Sequence, residues 1–221
     1  MVMDLNFAGE NYFIINNHFK CCGDGILNLY DEFDEENRRY TAMNLLKAYI
    51  DENLTNEKVI VLGDLNDDIS EPYLNNVFQD VLNDSDSYQF ADLFIAQGNS
   101  LDWSFPNWPS HLDHILITNE LFDEVGSIEV NTIKIDDYIN GGWAEYDQNI
   151  SDHRPVAMKI HFNDELSFDL NNDGLVNEND ITMLISIIFE QIHNNQLLGD
   201  INLDSKIDII DLILLVEHLD N

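Results

Sequence analysis

Apolar residues along the chain follow two rhythms. Tyr12-Phe13-Ile14-Ile15 and Val59-Ile60-Val61-Leu62 are short continuous runs rich in β-branched and aromatic side chains, the composition of buried strands. The first belongs to a pair of strands expected over residues 1 to 20, around Ala8-Gly9-Glu10-Asn11, and it ends on His18. Ser110 to Ile117 and Ile128 to Ile135 read as further strands, and Val156, Met158, Ile160 and Phe162 alternate as one face of a last one. Between the first two runs, Tyr40, Met43, Leu46 and Ile50 recur at helical spacing, which predicts a helix over 37 to 53. Ser70-Glu71-Pro72 reads as a helix start, with Ser70 as cap and Leu74, Val77, Phe78, Val81 and Leu82 as its stripe. Residues 83 to 109 and Gly141-Gly142-Trp143 read as loops. Trp103 to Pro109 places three aromatics among two prolines, either a substrate-facing wall or a packed surface loop.

Polar residues that can do chemistry fall at the ends of these strands. After Leu62 the chain reaches Gly63, where it can turn without a Cβ penalty, and then Asp64 and Asn66. If the extended path continues, those two share one side. A carboxylate and a carboxamide at the end of a buried strand suit a hard cation or a phosphate oxygen. They equally suit a polar loop capping a strand. In Ser110-His111-Leu112-Asp113-His114, alternation puts His111 and Asp113 on one face and His114 on the other. Asp152 and His153 lie in a loop just before the last strand.

The 221 residues suffice for one full domain and a small second one. With 9 Lys+Arg against 43 Asp+Glu the formal charge is -34. Such a surface repels polyanions at long range and argues against a broad basic groove for nucleic acid. It suits a salty or extracellular setting, or carboxylates neutralised by bound cations. Cys21 and Cys22 are adjacent, so they offer no disulfide framework. No run of about 18 apolar residues is present to span a membrane. The first residues lack the basic and apolar regions of a secretory signal, so the chain is either cytosolic or begins inside a longer protein.

After Phe162 the character changes. Asp169, Asn171, Asp173, Asn177 and Asp180 stand at positions 1, 3, 5, 9 and 12 of a loop with Gly174 at 6 and the backbone of Leu175 at 7. That is calcium-loop spacing. A second copy begins 31 residues later, with Asp200, Asn202, Asp204, Lys206 (backbone), Asp208 and Asp211 in the ligand positions and Ser205 in place of the glycine. Each loop leads into an amphipathic helix, carrying Ile181, Leu184, Ile185 and Ile188, then Leu212, Ile213, Val216 and Leu219. This implies two bound Ca²⁺.

Asn17-His18, Gly63-Asp64-Leu65-Asn66, Ser110 to Leu116 and Ser151-Asp152-His153-Arg154-Pro155-Val156 stand in an order that resembles the C-terminal half of the endonuclease/exonuclease/phosphatase superfamily. Pancreatic-type deoxyribonuclease and bacterial sphingomyelinase share that fold. The paired loops, with Asp at position 12 in place of the usual EF-hand Glu, resemble a type I dockerin. The resemblances imply an α+β chain: half of a four-layer α/β/β/α sandwich over residues 1–162, then a small all-α calcium-binding dockerin over 163–221. They imply His153 as general base, Asp113 as its orienting partner, and His18 as stabiliser of phosphoryl oxygens or leaving-group acid. They imply Asp64 and Asn66 as binders of phosphate, water or metal, and Asp152 as ligand of Mg²⁺, or of Mn²⁺ or Ca²⁺. His111 stands where many members carry arginine. An N-terminal half with a strand-borne Asn and a metal-binding Glu has no counterpart here, so the chain is expected to be truncated, poorly active and bare on one apolar sheet face.

The function implied is a secreted, metal-dependent phosphoesterase, nuclease-like in its cleavage of phosphodiesters. Its dockerin would tether it to a cohesin-bearing scaffold or surface protein, and its location would be extracellular or cell-surface. The substrate is a phosphoester, with nucleic acid among the candidates. The alternative is a non-catalytic cohesin-binding component of an extracellular assembly, one that degrades polysaccharide among the options.

Overall fold

The computed structural model describes residues 1–7, 10–122, 128–160, 168–171, 173–190, 199–201 and 206–219. The chain separates into two compact units, Met1–His161 and Phe162–Asn221.

In the first unit, β1 (Val2–Phe7) pairs antiparallel with β2 (Glu10–His18). An irregular segment leads to α1 (Glu35–Asn53), and the chain returns as β3 (Lys58–Asp64), parallel to β2. Then come the short α2 (Gln79–Leu82), β4 (Tyr88–Phe90), α3 (Leu93–Ala96) and β5 (Asp113–Thr118). These strands make one sheet in the order β1-β2-β3-β5-β4. A second sheet holds β6 (Ile128–Thr132) and β7 (Val156–Ile160), with α4 (Gly142–Asn149) between them in sequence.

The central strand β3 is apolar on both sides because both sides are covered. Val59 and Val61 meet one core with Met43 and Ile50 of α1 and with Val77, Phe78 and Phe90. Ile60 meets the other, with Tyr12, Ile115, Ile117 and Val130, closed by Met158 and Ile160 of the two-stranded sheet. The expected bare face is therefore covered over β3 and β5 and at Tyr12 of β2. What stays exposed is β1, where Val2, Met3, Leu5 and Phe7 are all accessible.

α1 begins two residues earlier than its apolar period predicts, because Asp34 caps it by accepting from Asn37 N–H at 2.7 Å. The helix expected from Ser70 does not form there. Asp68 Oδ1 accepts from both the N–H and the hydroxyl of Ser70, and Asn76 donates back to Ile69 O. Such side-chain bonds compete with the helix ladder, so only Gln79–Leu82 is helical and Leu74 is left exposed. Gly141-Gly142-Trp143 is not a loop but the start of α4. The strand expected from Ser110 begins only at Asp113, and β6 ends at Thr132.

The second unit packs Phe168, Leu170, Leu184 and Leu215 as its core. Its helices are α5 (Glu178–Glu190) and α6 (Ile209–Leu219). Ile181, Ile188 and Leu212 pack against that core as expected, whereas Ile185, Ile213 and Val216 of the expected stripes are exposed.

Candidate active site and calcium loops

Strand register assembles the site. In the parallel β2–β3 pair His18 lies opposite Asp64, and in the antiparallel β3–β5 pair Asp64 lies opposite Asp113. Three strands thus present His18, Asp64 and Asp113 in one row at one end of the sheet. Gly63 makes this possible. Its φ is 135°, and a Cβ there would fall on the carbonyl oxygen of Asn17. Only glycine lets β3 lie against β2 at that point.

The loop before β7 brings the fourth group. His153 Nδ1 bonds Asp113 Oδ2 at 2.7 Å, and its Nε2 faces Asp64 Oδ2 at 3.9 Å. His18 Nε2 approaches the same Asp64 oxygen from the other side at 3.5 Å. His18 is open to solvent, while Asp64, Asp113 and His153 are each about four-fifths covered. The hydrogen bond that His153 donates to Asp113 holds the imidazole above its usual pKa; burial opposes this, and the charges of Asp113, Asp64 and Asp152 reinforce it. Burial pushes Asp64 up, with Asp113 adding to it, against the pull of His153, the Asn66 N–H and His18. The ligand atoms of Asp64, Asp113 and His153 lie within 4.8 Å of one another.

Asn66 does not continue an extended path beside Asp64. It turns into the left-handed region at φ 57°, its N–H donates to Asp64 Oδ1 at 3.0 Å, and its carboxamide donates to Phe19 O at 3.2 Å. Asp152 is exposed and stands outside the close trio. The side chain beneath His153 is Phe105, whose ring lies 4.8 Å away, tilted by 35°. The aromatic loop therefore does reach the site, through Phe105 and not through the exposed Trp108.

His111 and His114 do not part to opposite faces. Because the chain is not yet a strand at His111, both imidazoles reach the buried Asp92 Oδ2, at 3.0 and 2.7 Å. Asp92 Oδ1 takes the Ile115 N–H at 2.8 Å. Burial alone would raise Asp92, but the charge of His114 and these hydrogen bonds hold it well below the carboxylate range. His111 also accepts from Ser104 N–H, and Ser104 Oγ accepts from the N–H groups of Leu112 and Asp113. The fully buried His111 thus supports the backbone that carries Asp113 and is no surface contact for a substrate. No sequence period could reveal this, since Asp92 lies on another segment.

The model of the endonuclease/exonuclease/phosphatase family matches residues 4–153. The chain belongs to that family. A type I dockerin domain matches residues 167–220 and follows the endonuclease/exonuclease/phosphatase domain. Among solved structures, truncated Caenorhabditis elegans TDP2 is similar at 13% identity and TM-score 0.45, over 73% of this chain and 58% of that one. An AP endonuclease from Archaeoglobus fulgidus is similar at 13% identity and TM-score 0.46, over 73% and 65%. The human Nocturnin catalytic domain with bound sulfate is similar at 15% identity and TM-score 0.42, over 72% and 51%. The chain thus spans roughly half to two thirds of the length of these structures. A comparison with curated proteins finds no match.

In the dockerin, Asp180 is fully buried and accepts from Leu170, Asn171 and Asn177 N–H. Asp211 repeats the arrangement, taking Ile201 N–H on one oxygen and Asp208 N–H on the other, each at 2.8 Å. Asp169 accepts from Asp173 and Gly174 N–H, and Gly174 has the left-handed φ of 82° that position 6 requires. Asn171, Asp173 and Asn177 each accept a backbone N–H two residues ahead. This all-oxygen donor set fits a hard cation. In the second loop Asn202 and Asp204 lie outside the described residues, while Asp200 is buried.

Proposed function

We infer that the first unit hydrolyses phosphoesters, with phosphodiesters of nuclease type as the favoured substrates. The observation that carries this is the 2.7 Å Asp113–His153 pair beside Asp64, with His18 across the gap. In this reading His153 Nε2 takes a proton from the attacking water, and Asp113 on Nδ1 fixes the tautomer and stabilises the imidazolium. As the new P–O bond forms, the bond to the leaving oxygen breaks. His18, exposed to solvent beside Asp64, gives that oxygen its proton or shields the phosphoryl charge. The Asn66 carboxamide and the Asp64 carboxylate position the phosphate and the water.

The acidic pair Asp64 and Asp113, gathered with His153, forms an edge suited to Mg²⁺, or to Mn²⁺ or Ca²⁺, with the exposed Asp152 next to His153 in the chain as a further carboxylate. Asp152 and Asp64 would hold the ion. A bound divalent cation there supplies charge neutralisation at the phosphoryl oxygens.

In the same reading the dockerin holds two Ca²⁺ and attaches the enzyme to a cohesin-bearing scaffold or surface protein outside the cell. Among the described residues no helix is long and apolar enough to cross a membrane. The exposed apolar side chains of β1 favour a second reading, in which the chain contributes cohesin binding without turnover. Assaying the full chain on a panel of phosphodiesters and phosphomonoesters, with Mg²⁺ or with chelator, separates the two. Metal-dependent turnover lost in His153→Ala supports the enzyme, and no turnover on any ester supports the second reading.

A further inference from the structure

The segment between His18 and α1 gathers carboxylates far in excess of its cations. Asp24, Asp31, Asp34, Glu35 and Glu36 line a cleft of about 430 Å³. Ligand oxygens of Asp24, Asp34 and Glu36 come within 4.8 Å of one another. Glu36 is only 2% exposed, and its Oε2 is buried with no hydrogen-bond partner. An orphaned carboxylate oxygen at that depth is costly. Its other oxygen accepts from Gly25 N–H at 2.7 Å and lies 3.3 Å from the Arg39 guanidinium. Arg39 does not neutralise it alone. It also bonds Asp67 Oδ2 at 2.8 Å and the carbonyls of Lys20 and Cys22.

The backbone is shaped around the carboxylate. Gly23 has a φ of 119°, and a Cβ there would collide with the Glu36 carboxyl group. Asp24 and Asp34 each use an oxygen to hold loop N–H groups, of Ile26 and of Asn28 and Asn37, which fixes the carboxylates facing the cleft.

We propose that Asp24, Asp34 and the buried Glu36 form a divalent-cation site, separate from the dockerin loops, that takes Ca²⁺. All three donors are hard oxygens, and the irregular segment they sit on suits the larger, geometrically tolerant ion better than octahedral Mg²⁺. The ion would satisfy Glu36 Oε2 and pin residues 21–34 to the start of α1. Because this segment follows His18 and Phe19 directly, the site also anchors the chain behind the candidate active site, independently of any turnover.

The test uses the full chain and its Asp24→Ala variant, chosen because Asp24 is exposed and the substitution removes its ligand oxygens. Native mass spectrometry counts bound Ca²⁺, and hydrogen exchange follows residues 21–34 with and without about 1 mM Ca²⁺. A companion protein carries Asp169→Ala and Asp200→Ala to remove the dockerin sites. The site predicts one more Ca²⁺ on the parent than on Asp24→Ala. It also predicts at least tenfold calcium-dependent slowing of exchange in this segment, kept in the companion and lost in Asp24→Ala. Equal calcium counts with unchanged exchange, or equal protection by Mg²⁺ alone, would overturn the assignment.

Discussion

Glu71 gives the sharpest test of the electrostatics behind β3, the strand that carries Asp64. It sits where the turn after β3 folds back, and its Oε2 is buried without a hydrogen-bond partner. Burial, helped by Asp67, Asp68 and Glu36 and opposed by Arg39, raises its pKa from the ordinary 4.5 to about 7. A carboxyl group whose folded pKa is raised binds its proton more tightly when folded. Stability is therefore greatest below the unfolded value near 4.5 and falls as pH rises through about 7. At about 1.4 kcal/mol per pH unit the full shift corresponds to roughly 3 kcal/mol. Glu71 is only half buried, so solvent screening reduces this to about 1–2 kcal/mol.

Glu71→Gln removes the charge at constant shape. It should leave stability near pH 4.5 almost unchanged and raise it by about 1–2 kcal/mol at pH 8. Denaturant titration followed by tryptophan fluorescence is the assay, since Trp103, Trp108 and Trp143 all lie in the first unit and the second has none. A wild-type minus variant difference that stays flat from pH 4.5 to 8 would refute the reasoning.

Three further outcomes follow from the same geometry. Asp92→Asn should cost about 3–5 kcal/mol by leaving the buried His114 without its counter-charge. It should also flatten a stability window, because the depressed Asp92 contributes above about pH 4 and the raised His114 contributes below about pH 6.5 and fades above its folded pKa; denaturation midpoints across pH measure both. Gly63→Ala should cost about 3 kcal/mol or more, seen as a lowered midpoint, because the strained φ and the clash with Asn17 both act on the β2–β3 pairing. Chelating calcium should abolish the helical circular dichroism of the second unit while the tryptophan signal of the first persists, and Asp180→Ala should mimic chelation, its carboxylate being fully buried in the first loop.

The sequence showed the fold where local signals and tertiary packing agree. The continuous apolar run of β3 and the repeated Asp- and Asn-rich loops needed no outside information. The order of His18, Asp64, Asp113 and His153 was equally legible, but their meeting depends on strand register, which puts the first three in one row. Periodicity failed where side chains captured the backbone. Asp68 and Asn76 replaced the helix expected at Ser70, and Asn66 left the extended path to turn over Asp64. It also failed where a partner came from elsewhere in the chain. Asp92 draws His111 inward, and Phe105 reaches His153 from a loop whose aromatics could equally have been packing.

The most direct test of the proposed chemistry is a double-mutant cycle on phosphodiester hydrolysis by the full chain, comparing Asp113→Asn, His153→Ala and the pair together. If His153 is the base and Asp113 acts through it, each single change lowers kcat by about 10²–10⁴, and the double variant is no slower than His153→Ala alone. Multiplying losses, or wild-type turnover in His153→Ala, would contradict the account.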